Sequence, residues 1–371
     1  MGPRATRAGP STTTGRPRPA GLRLGARRTN LGLLVGLVTA LVTGGLAFAA
    51  GTGWGRPVVV AHGLAGLAVL VLAPWKSVIV RRGLARRSGA GRWTSVAFGL
   101  LVLTAVAAGL GHATGALARL GPVSAMQVHV GAALAAVPLL AWHAAARGGA
   151  RPRRTDLSRR ALLRAGAVAG GAGLLLLAVE GATRLAGLAG ARRRFTGSLP
   201  VTGQADSGAT PAPGPVDAAS IPVTQWLDDR VQALDPAAWR LRVAAGDTTR
   251  DWTYAELEGF GDQVEAVLDC TGGWFALATW EGVRLDRLLP PGAAGSVVVV
   301  SATGYRRRLP LGDAGTLLLA TRLAGRPLSA GHGFPARLVA PGRRGFWWVK
   351  WVVSVELDPA PWWRQPPFPL T

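Results

Sequence analysis

The sequence predicts an N-terminal all-α transmembrane helix bundle of about five spans followed by a C-terminal α+β domain. Three observations carry this. Apolar residues make up 49% of the 371-residue chain and crowd into its first half. Uncharged runs there reach the roughly 20 residues that cross a bilayer. Beyond residue 221 the apolar runs shorten and alternate with turns, the texture of a mixed sheet domain. The expected division is a basic cytoplasmic tail at 1–28, a transmembrane helical domain at 29–191, a Pro/Gly/Ala/Ser-rich linker at 192–220 and a second domain at 221–371.

The first span is expected over Leu31–Ala50, the second over Pro57–Val80, the third over Thr94–Ala118 and the fourth over Leu120–Ala146. A fifth runs from Leu162 to Val179 and on towards Ala191, Gly-rich and carrying Glu180 and Arg184. The formal net charge of +23 is almost all arginine, since Lys76 and Lys350 are the only lysines. These arginines sit in short loops between apolar runs, which speaks for membrane topology and against a nucleic-acid partner. Arg4, Arg7, Arg16, Arg18, Arg23, Arg27 and Arg28 precede span one. Arg81, Arg82, Arg86, Arg87 and Arg92 join spans two and three. Arg147, Arg151, Arg153, Arg154, Arg159, Arg160 and Arg164 join spans four and five. The other two connections hold only Arg56 and Arg119. Positive loops stay in the cytoplasm, so five spans put the second domain on the extracytoplasmic side of the cell membrane; four would leave it in the cytoplasm. Ser158-Arg159-Arg160-Ala161-Leu162-Leu163-Arg164 before a Gly/Ala/Leu run resembles an internal, uncleaved twin-arginine export signal.

Four of the five histidines, His62, His112, His129 and His143, lie in the apolar runs. An imidazole inside a bilayer is a functional candidate, the alternative being a bond to a neighbouring helix's backbone. At about 1.5 Å rise per residue, His62, His112 and His129 share one level, about 10 Å below the outer ends of their helices. Two imidazoles at one depth suit a haem iron. The expectation is one haem b with His62 and His129 as ligands and His112 as the alternative. His129 and His143 are 14 residues apart on one helix face, about 21 Å along the axis, a spacing that resembles cytochrome-b helices. Lys76 stands 14 residues beyond His62 where an inner ligand would be needed. His143 is assigned to an inner quinone site.

In the second domain, strands are expected at Trp239–Ala244, Val264–Leu268, Ser296–Ser301, Leu317–Ala320, Ala336–Val339 and Trp347–Leu357, with short helices at Tyr254–Glu258 and Leu285–Leu289. The chain has one cysteine, Cys270, which excludes an intrachain disulfide. A lone cysteine is ordinarily an inert small apolar residue. Its neighbours point elsewhere. Leu268-Asp269-Cys270-Thr271-Gly272-Gly273-Trp274 is followed by Trp280-Glu281-Gly282-Val283-Arg284-Leu285. Later come His332-Gly333-Phe334-Pro335-Ala336-Arg337-Leu338-Val339-Ala340-Pro341-Gly342 and Gly345-Phe346-Trp347-Trp348-Val349-Lys350-Trp351. Together these resemble the cofactor core of the sulfite-oxidase-type molybdopterin oxidoreductases. Arg194-Phe195-Thr196-Gly197-Ser198 resembles the family's membrane-proximal lead-in, so the resemblance covers residues 194–357.

The resemblance implies a molybdopterin cofactor whose molybdenum takes the Cys270 thiolate, a soft ligand for a redox-active metal. It places Thr271, Gly272 and Trp274 beside the cofactor and makes Arg337, Lys350 and His332 donors to a terminal phosphate. On the bare sequence, Arg337 and Lys350 read equally as a solvated strand face. Tyr305 joins Cys270 as a catalytic candidate in an aromatic neighbourhood with Phe275 and Trp280. Arg306, Arg307 and Arg308 are either an oxyanion attractor or a solvated basic patch. The family's immunoglobulin-like dimerisation domain has no counterpart before Thr371. The implied activity is oxygen-atom transfer on an extracytoplasmic small-molecule substrate, with electrons exchanged with a quinone/quinol or other membrane donor. S-oxide or N-oxide reduction is expected ahead of sulfite oxidation. From other classes stand a non-catalytic membrane sensor and a molybdenum domain on a haem-free anchor.

Overall fold

The computed structural model describes residues 24–85, 90–146, 158–201, 215–225, 229–291 and 294–368. Arg4, Arg7, Arg16, Arg18, Arg23, Arg86, Arg87, Arg147, Arg151, Arg153 and Arg154 of the charge pattern lie outside the described residues.

Among the described residues, five helices are long and apolar enough to cross a membrane: α1 (Ala26–Ala49), α2 (Gly55–Ala85), α3 (Ala90–Thr114), α4 (Ala125–Ala145) and α5 (Arg159–Leu185). Helix α1 packs along α2, α3 along α4, and α5 against α2. Pro74 and Pro138 sit inside α2 and α4, tolerable in apolar helices whose neighbours re-satisfy the freed backbone groups. The expected third and fourth spans overran their helices. A small hairpin, β1 (Arg119–Leu120) against β2 (Val123–Ser124), turns the chain between them. Ser124 then caps α4 in a reciprocal box: its Oγ accepts from Gln127 N, and Gln127 Oε1 accepts from Ser124 N. That box starts the helix five residues later than apolarity alone suggested.

The C-terminal domain is built on two sheets. In the first, β7 (Trp274–Arg284) is flanked by β6 (Asp262–Asp269) and β10 (Leu318–Leu323), both antiparallel, and by the short parallel β3 (Leu199–Pro200). The strands β11 (Arg326–Pro327) and β12 (Arg337–Val339) pair with β10. The second sheet runs β5 (Thr248–Thr253), β4 (Arg240–Ala245), β13 (Val352–Asp358), β8 (Ser296–Ser301), β9 (Arg306–Pro310), with β4 and β13 parallel. A single short helix, α6 (Tyr254–Glu258), starts on a Thr253/Glu256 capping box. Leu241, Leu257, Trp280, Leu285, Leu319 and Leu338 are fully buried between the layers.

Three elements differ from the sequence reading. The expected linker contributes β3, and Val201 and Val216 enter the core, so the domain begins inside 192–220. The expected strand Trp347–Leu357 splits. Gly345–Trp347 is a single 3-10 turn, and β13 starts only at Val352, after Trp351 at φ 49°. The expected helix at Leu285–Leu289 is likewise one 3-10 turn, Leu285–Arg287.

The domain rests on one end of the bundle. Phe48 at the end of α1 packs on Phe346 and Phe368, and Gly51 abuts Gly342 and Arg343. His112 near the end of α3 and Met126 in the first turn of α4 reach Gly273. These ends are opposite the arginine-rich α2–α3 connection.

Candidate active site

A cavity of about 510 Å³ opens between the domain and this end of the bundle, with Cys270 on its wall. The cysteine sits in the four-residue connection from β6 to β7. Cys270 N donates to Trp274 O at 2.9 Å and Gly273 N to Cys270 O at 3.1 Å. Gly273 closes the turn at φ 93°, a conformation open to glycine but costly for other residues. The turn aims a donor at the sulfur: Gly272 N lies 3.3 Å from Sγ, and the Thr224 hydroxyl lies 3.7 Å from it. Burial pushes the Cys270 thiol up, opposed by the Gly272 and Thr224 donors. A bound metal ion removes that proton outright, and the donors are already placed for the resulting thiolate.

Behind the turn lies a buried carboxylate. Asp269, 2% exposed, accepts from Arg344 Nη1 at 2.5 Å, Ser198 Oγ at 2.6 Å, Thr196 Oγ1 at 2.8 Å and Arg194 Nε at 3.1 Å. Arg344 Nη2 also donates to Cys270 O at 3.2 Å. The lead-in segment after the bundle, the cysteine turn and the loop before Trp347 are thereby fastened at one point.

The opposite wall holds the cations. Arg337, 2% exposed, lies under Trp280 and Trp348, 5.0 and 5.6 Å from the ring centroids. Its Nη1 donates to His332 O at 3.1 Å, and its Nε has no partner. Burial brings its guanidinium down to about 9, with Cys270 acting against the shift. Lys350 Nζ donates to Gly331 O at 2.6 Å and Thr224 O at 2.7 Å, and reaches Gln225 Oε1 at 3.4 Å. Burial and then Arg337 bring it down to about 7. No carboxylate bonds either cation among the described residues. Two buried cations, one with an orphaned N–H, are the complement of an anionic ligand. A phosphate-bearing pterin with a thiolate-ligated metal fits this donor set.

The cavity gathers most of the residues singled out in the sequence. Cys270, Thr271, Gly272, Trp274, Tyr305, His332, Arg337 and Lys350 all line the cavity. Three roles change. Both His332 nitrogens are engaged, Nε2 donating to Ile221 O and Nδ1 sharing a bond with Ser329 Oγ, so His332 shapes the wall instead of donating to a ligand. Tyr305 donates its hydroxyl to Phe346 O, and burial pushes its phenol up. The Arg306–Arg308 run does not line the cavity, and only Arg306 is solvent-exposed as a solvated patch would be. Arg307 is buried 4.1 Å from the Trp347 ring centroid, and Arg308 pairs with Asp358 at 2.7 Å. The Asp269–Arg344 clamp was missed, as were the bundle residues Phe48, Met126, Gln127 and Val130 on the cavity wall.

In the bundle, the structure brings His62 and His129 together with ring centroids 5.8 Å apart at 87°. His62 Nδ1 donates to Ala40 O at 2.9 Å and His129 Nδ1 to Ala105 O at 2.7 Å. Gly44 and Gly109 give the rings room; a Cβ there would stand 3.0 Å from His62 Cε1 and 2.8 Å from His129 Nδ1. His112 is elsewhere: its Nε2 donates to Gly197 O at 3.0 Å, in the domain. His143 lies 5.5 Å from Phe98.

Residues 228–364 match the family described as oxidoreductase molybdopterin binding domain. By this match the C-terminal domain is similar to molybdopterin-binding oxidoreductase domains. Human mitochondrial sulfite oxidase is 28% identical over 167 residues, covering 35% of this chain and 31% of the relative. The rat sulfite oxidase is 30% identical over 168 residues, covering 34% and 31%. The uncharacterized oxidoreductase YuiH of Bacillus subtilis is 34% identical over 96 residues, covering 24% and 48%. The chain thus spans about a third of the sulfite oxidases it matches. Among solved structures, the sulfane dehydrogenase SoxCD of Paracoccus pantotrophus aligns at TM-score 0.33 and 24% identity, covering 35% of this chain and 40% of that one. Cys270, the one cysteine of the chain, lies within the matched residues.

Proposed function

We propose that the chain is a membrane-bound molybdenum-cofactor oxidoreductase. It exchanges electrons between a membrane haem/quinone pool and an extracytoplasmic small substrate, which it reduces as an S-oxide or N-oxide. One observation carries this reading: a single cavity holds the only thiol, two cations that no carboxylate bonds among the described residues, and a wall contributed by the apolar bundle. When bound, molybdenum supplies oxygen-atom transfer with two-electron redox change. Cys270 Sγ holds the metal, and the Gly272 amide and Thr224 hydroxyl steady the thiolate. Arg337 and Lys350 receive the pterin's phosphate. Phe48, Met126, Val130 and the aromatic wall exclude water, and Tyr305 keeps its proton through the neutral range because its phenol is pushed up.

Haem b ligation by His62 and His129 is supported by their pairing. Imidazole–metal bonds of about 2 Å on both sides of one iron set ring centroids about 6 Å apart. Each Nδ1 already donates to a carbonyl, which leaves Nε2 as the ligand atom, the usual second-shell arrangement. The extracytoplasmic placement is supported by the domain resting on the helix ends opposite the arginine-rich α2–α3 connection. Electron exchange with a quinone follows from the same reading.

A neutral oxide is favoured over a sulfite dianion because the only cations on the cavity wall are Arg337 and Lys350, among the described residues, and both serve the cofactor. The sulfite oxidases among the relatives support the opposite direction, sulfite oxidation, as the second reading. The test is metal analysis and a visible spectrum of the purified full chain, followed by a substrate screen with a reduced dye as electron donor for oxides and an oxidised dye as electron acceptor for sulfite. Stoichiometric molybdenum, a b-type spectrum and turnover of S-oxides or N-oxides are expected. A protein without molybdenum refutes the reading. Turnover of sulfite alone reverses the direction.

A further inference from the structure

The bundle touches the cysteine turn itself. His112, 5% exposed near the C-terminal end of α3, donates from Nε2 to Gly197 O at 3.0 Å. The same ring lies against Gly273: a Cβ on that glycine would stand 2.6 Å from His112 Cε1 and 3.2 Å from Met126 Cβ. Gly273 in turn closes the cysteine turn and accepts from Leu199 N at 2.9 Å through its carbonyl. Gly197 and Ser198 belong to the segment whose Ser198 hydroxyl donates to Asp269. One imidazole from an apolar helix therefore fixes both the lead-in strand and the turn that carries the sulfur. One turn earlier on α3, Gly109 faces the His129 ring.

We propose that His112 is a positioning residue for the thiolate. Through its bond to Gly197 and its packing on Gly273, opposed by Met126, it holds the Cys270–Gly273 turn shut against the cavity. The bundle is then part of the molybdenum site as well as an anchor. This rests on the reading of Cys270 as the metal ligand, and it assigns His112 away from the haem.

Because Cys270 is the only cysteine, its alkylation reports on this turn alone. The full chain is purified, from cells grown with and without molybdate, as wild type, H112L and H112Q. Iodoacetamide labelling rates are measured on the molybdate-free protein, and molybdenum retention during dialysis on the other. H112L is expected to label about tenfold faster, the upper end of what one lost hydrogen bond does to a local opening equilibrium. H112Q keeps an N–H for Gly197 and is expected within about twofold of wild type. H112L also loses molybdenum faster, with the His62/His129-dependent spectrum unchanged. Equal rates for wild type and H112L overturn the proposal, as does equal acceleration in both variants. If H112L does not accumulate, M126A thins the opposing jaw; its labelling is expected to accelerate, and an unchanged rate overturns the proposal. Wild-type protein devoid of molybdenum refutes the functional reading separately, since the labelling comparison needs no metal.

Discussion

Replacing Asp269 by alanine tests whether the clamp behind the cysteine turn is as consequential as its geometry implies. The carboxylate is 2% exposed and its principal partner Arg344 is 4% exposed. Removing one member of such a pair strands a buried guanidinium, which costs about 3–5 kcal/mol. The Ser198 hydroxyl keeps Cys270 O and Arg344 Nη1 as partners while Thr196 loses its one neutral bond, so the stranded charge dominates. For a domain of this size each kcal/mol lowers Tm by about 2–4 °C, so D269A is expected to melt about 6–20 °C below wild type. The assay is the tryptophan fluorescence melt of the full chain, with molybdenum content alongside. The double variant D269L/R344M removes both charges and is expected to recover at least half of the loss, as apolar replacements of buried pairs do. A D269A protein melting within about 2 °C of wild type refutes the clamp.

Lys350 gives a pH dependence. Its folded value, about 7, lies below its ordinary 10.5, so between these limits the folded, cofactor-free chain binds fewer protons than the unfolded one. Stability then rises with pH and is lost as pH falls through about 7. Cys270, shifted upward, acts oppositely only at higher pH, so melts between pH 7 and 9 should show a rising Tm that K350M abolishes; a slope surviving in K350M counts against the assignment. R337K keeps the charge but loses the planar contact with Trp280 and Trp348, worth about 0.5–2 kcal/mol, and should release the cofactor faster on dialysis; unchanged retention argues against Arg337 as its anchor. H62A and H129A should each lose the b-type absorbance while retaining molybdenum; a spectrum that survives both contradicts haem ligation by this pair.

The features legible in the sequence were those carried by local runs. Span existence followed from apolar length. The valine run at 296–301 gave β8 to the residue, and the helix expected at Tyr254–Glu258 is α6 with the same bounds. The strand at the centre of the first sheet was not read as one. Over 276–282 the strand alternates buried and half-buried positions, but its buried face is Ala276, Ala278, Trp280 and Gly282 and its other face carries Leu277, so the residue types show no clean apolar/polar alternation. Cys270 was found because its chemistry is singular. Asp269 was passed over although it stands beside it. A carboxylate's meaning depends on its partner, and Arg344 lies 75 residues further on. The bundle residues on the cavity wall carried no local signal at all: Met126 and Val130 are ordinary apolar residues of α4 until the domain is set on top of them.

The buried arginines of the domain decide how far charge alone identifies a ligand site. Arg344 is neutralised by Asp269, which accounts for its burial internally. Arg337 and Arg307 are equally buried, and neither has an acidic partner within ion-pair reach among the described residues. A cation held out of water without a counter-charge is costly, so each needs compensation. Arg307 finds it in ring faces, with Trp347 at 4.1 Å and Phe346 at 5.3 Å, and it does not line the cavity. Arg337 has more distant rings and an unpartnered Nε, as Arg307 has at Nε and Nη2, but it lines the same cavity as the thiol. An uncompensated cation is therefore not by itself a binding site; what separates Arg337 from Arg307 is the accessible space in front of it. On that ground the anion-binding role belongs to Arg337 and not to the basic run 306–308, whose density of charge made it the more conspicuous candidate in the sequence.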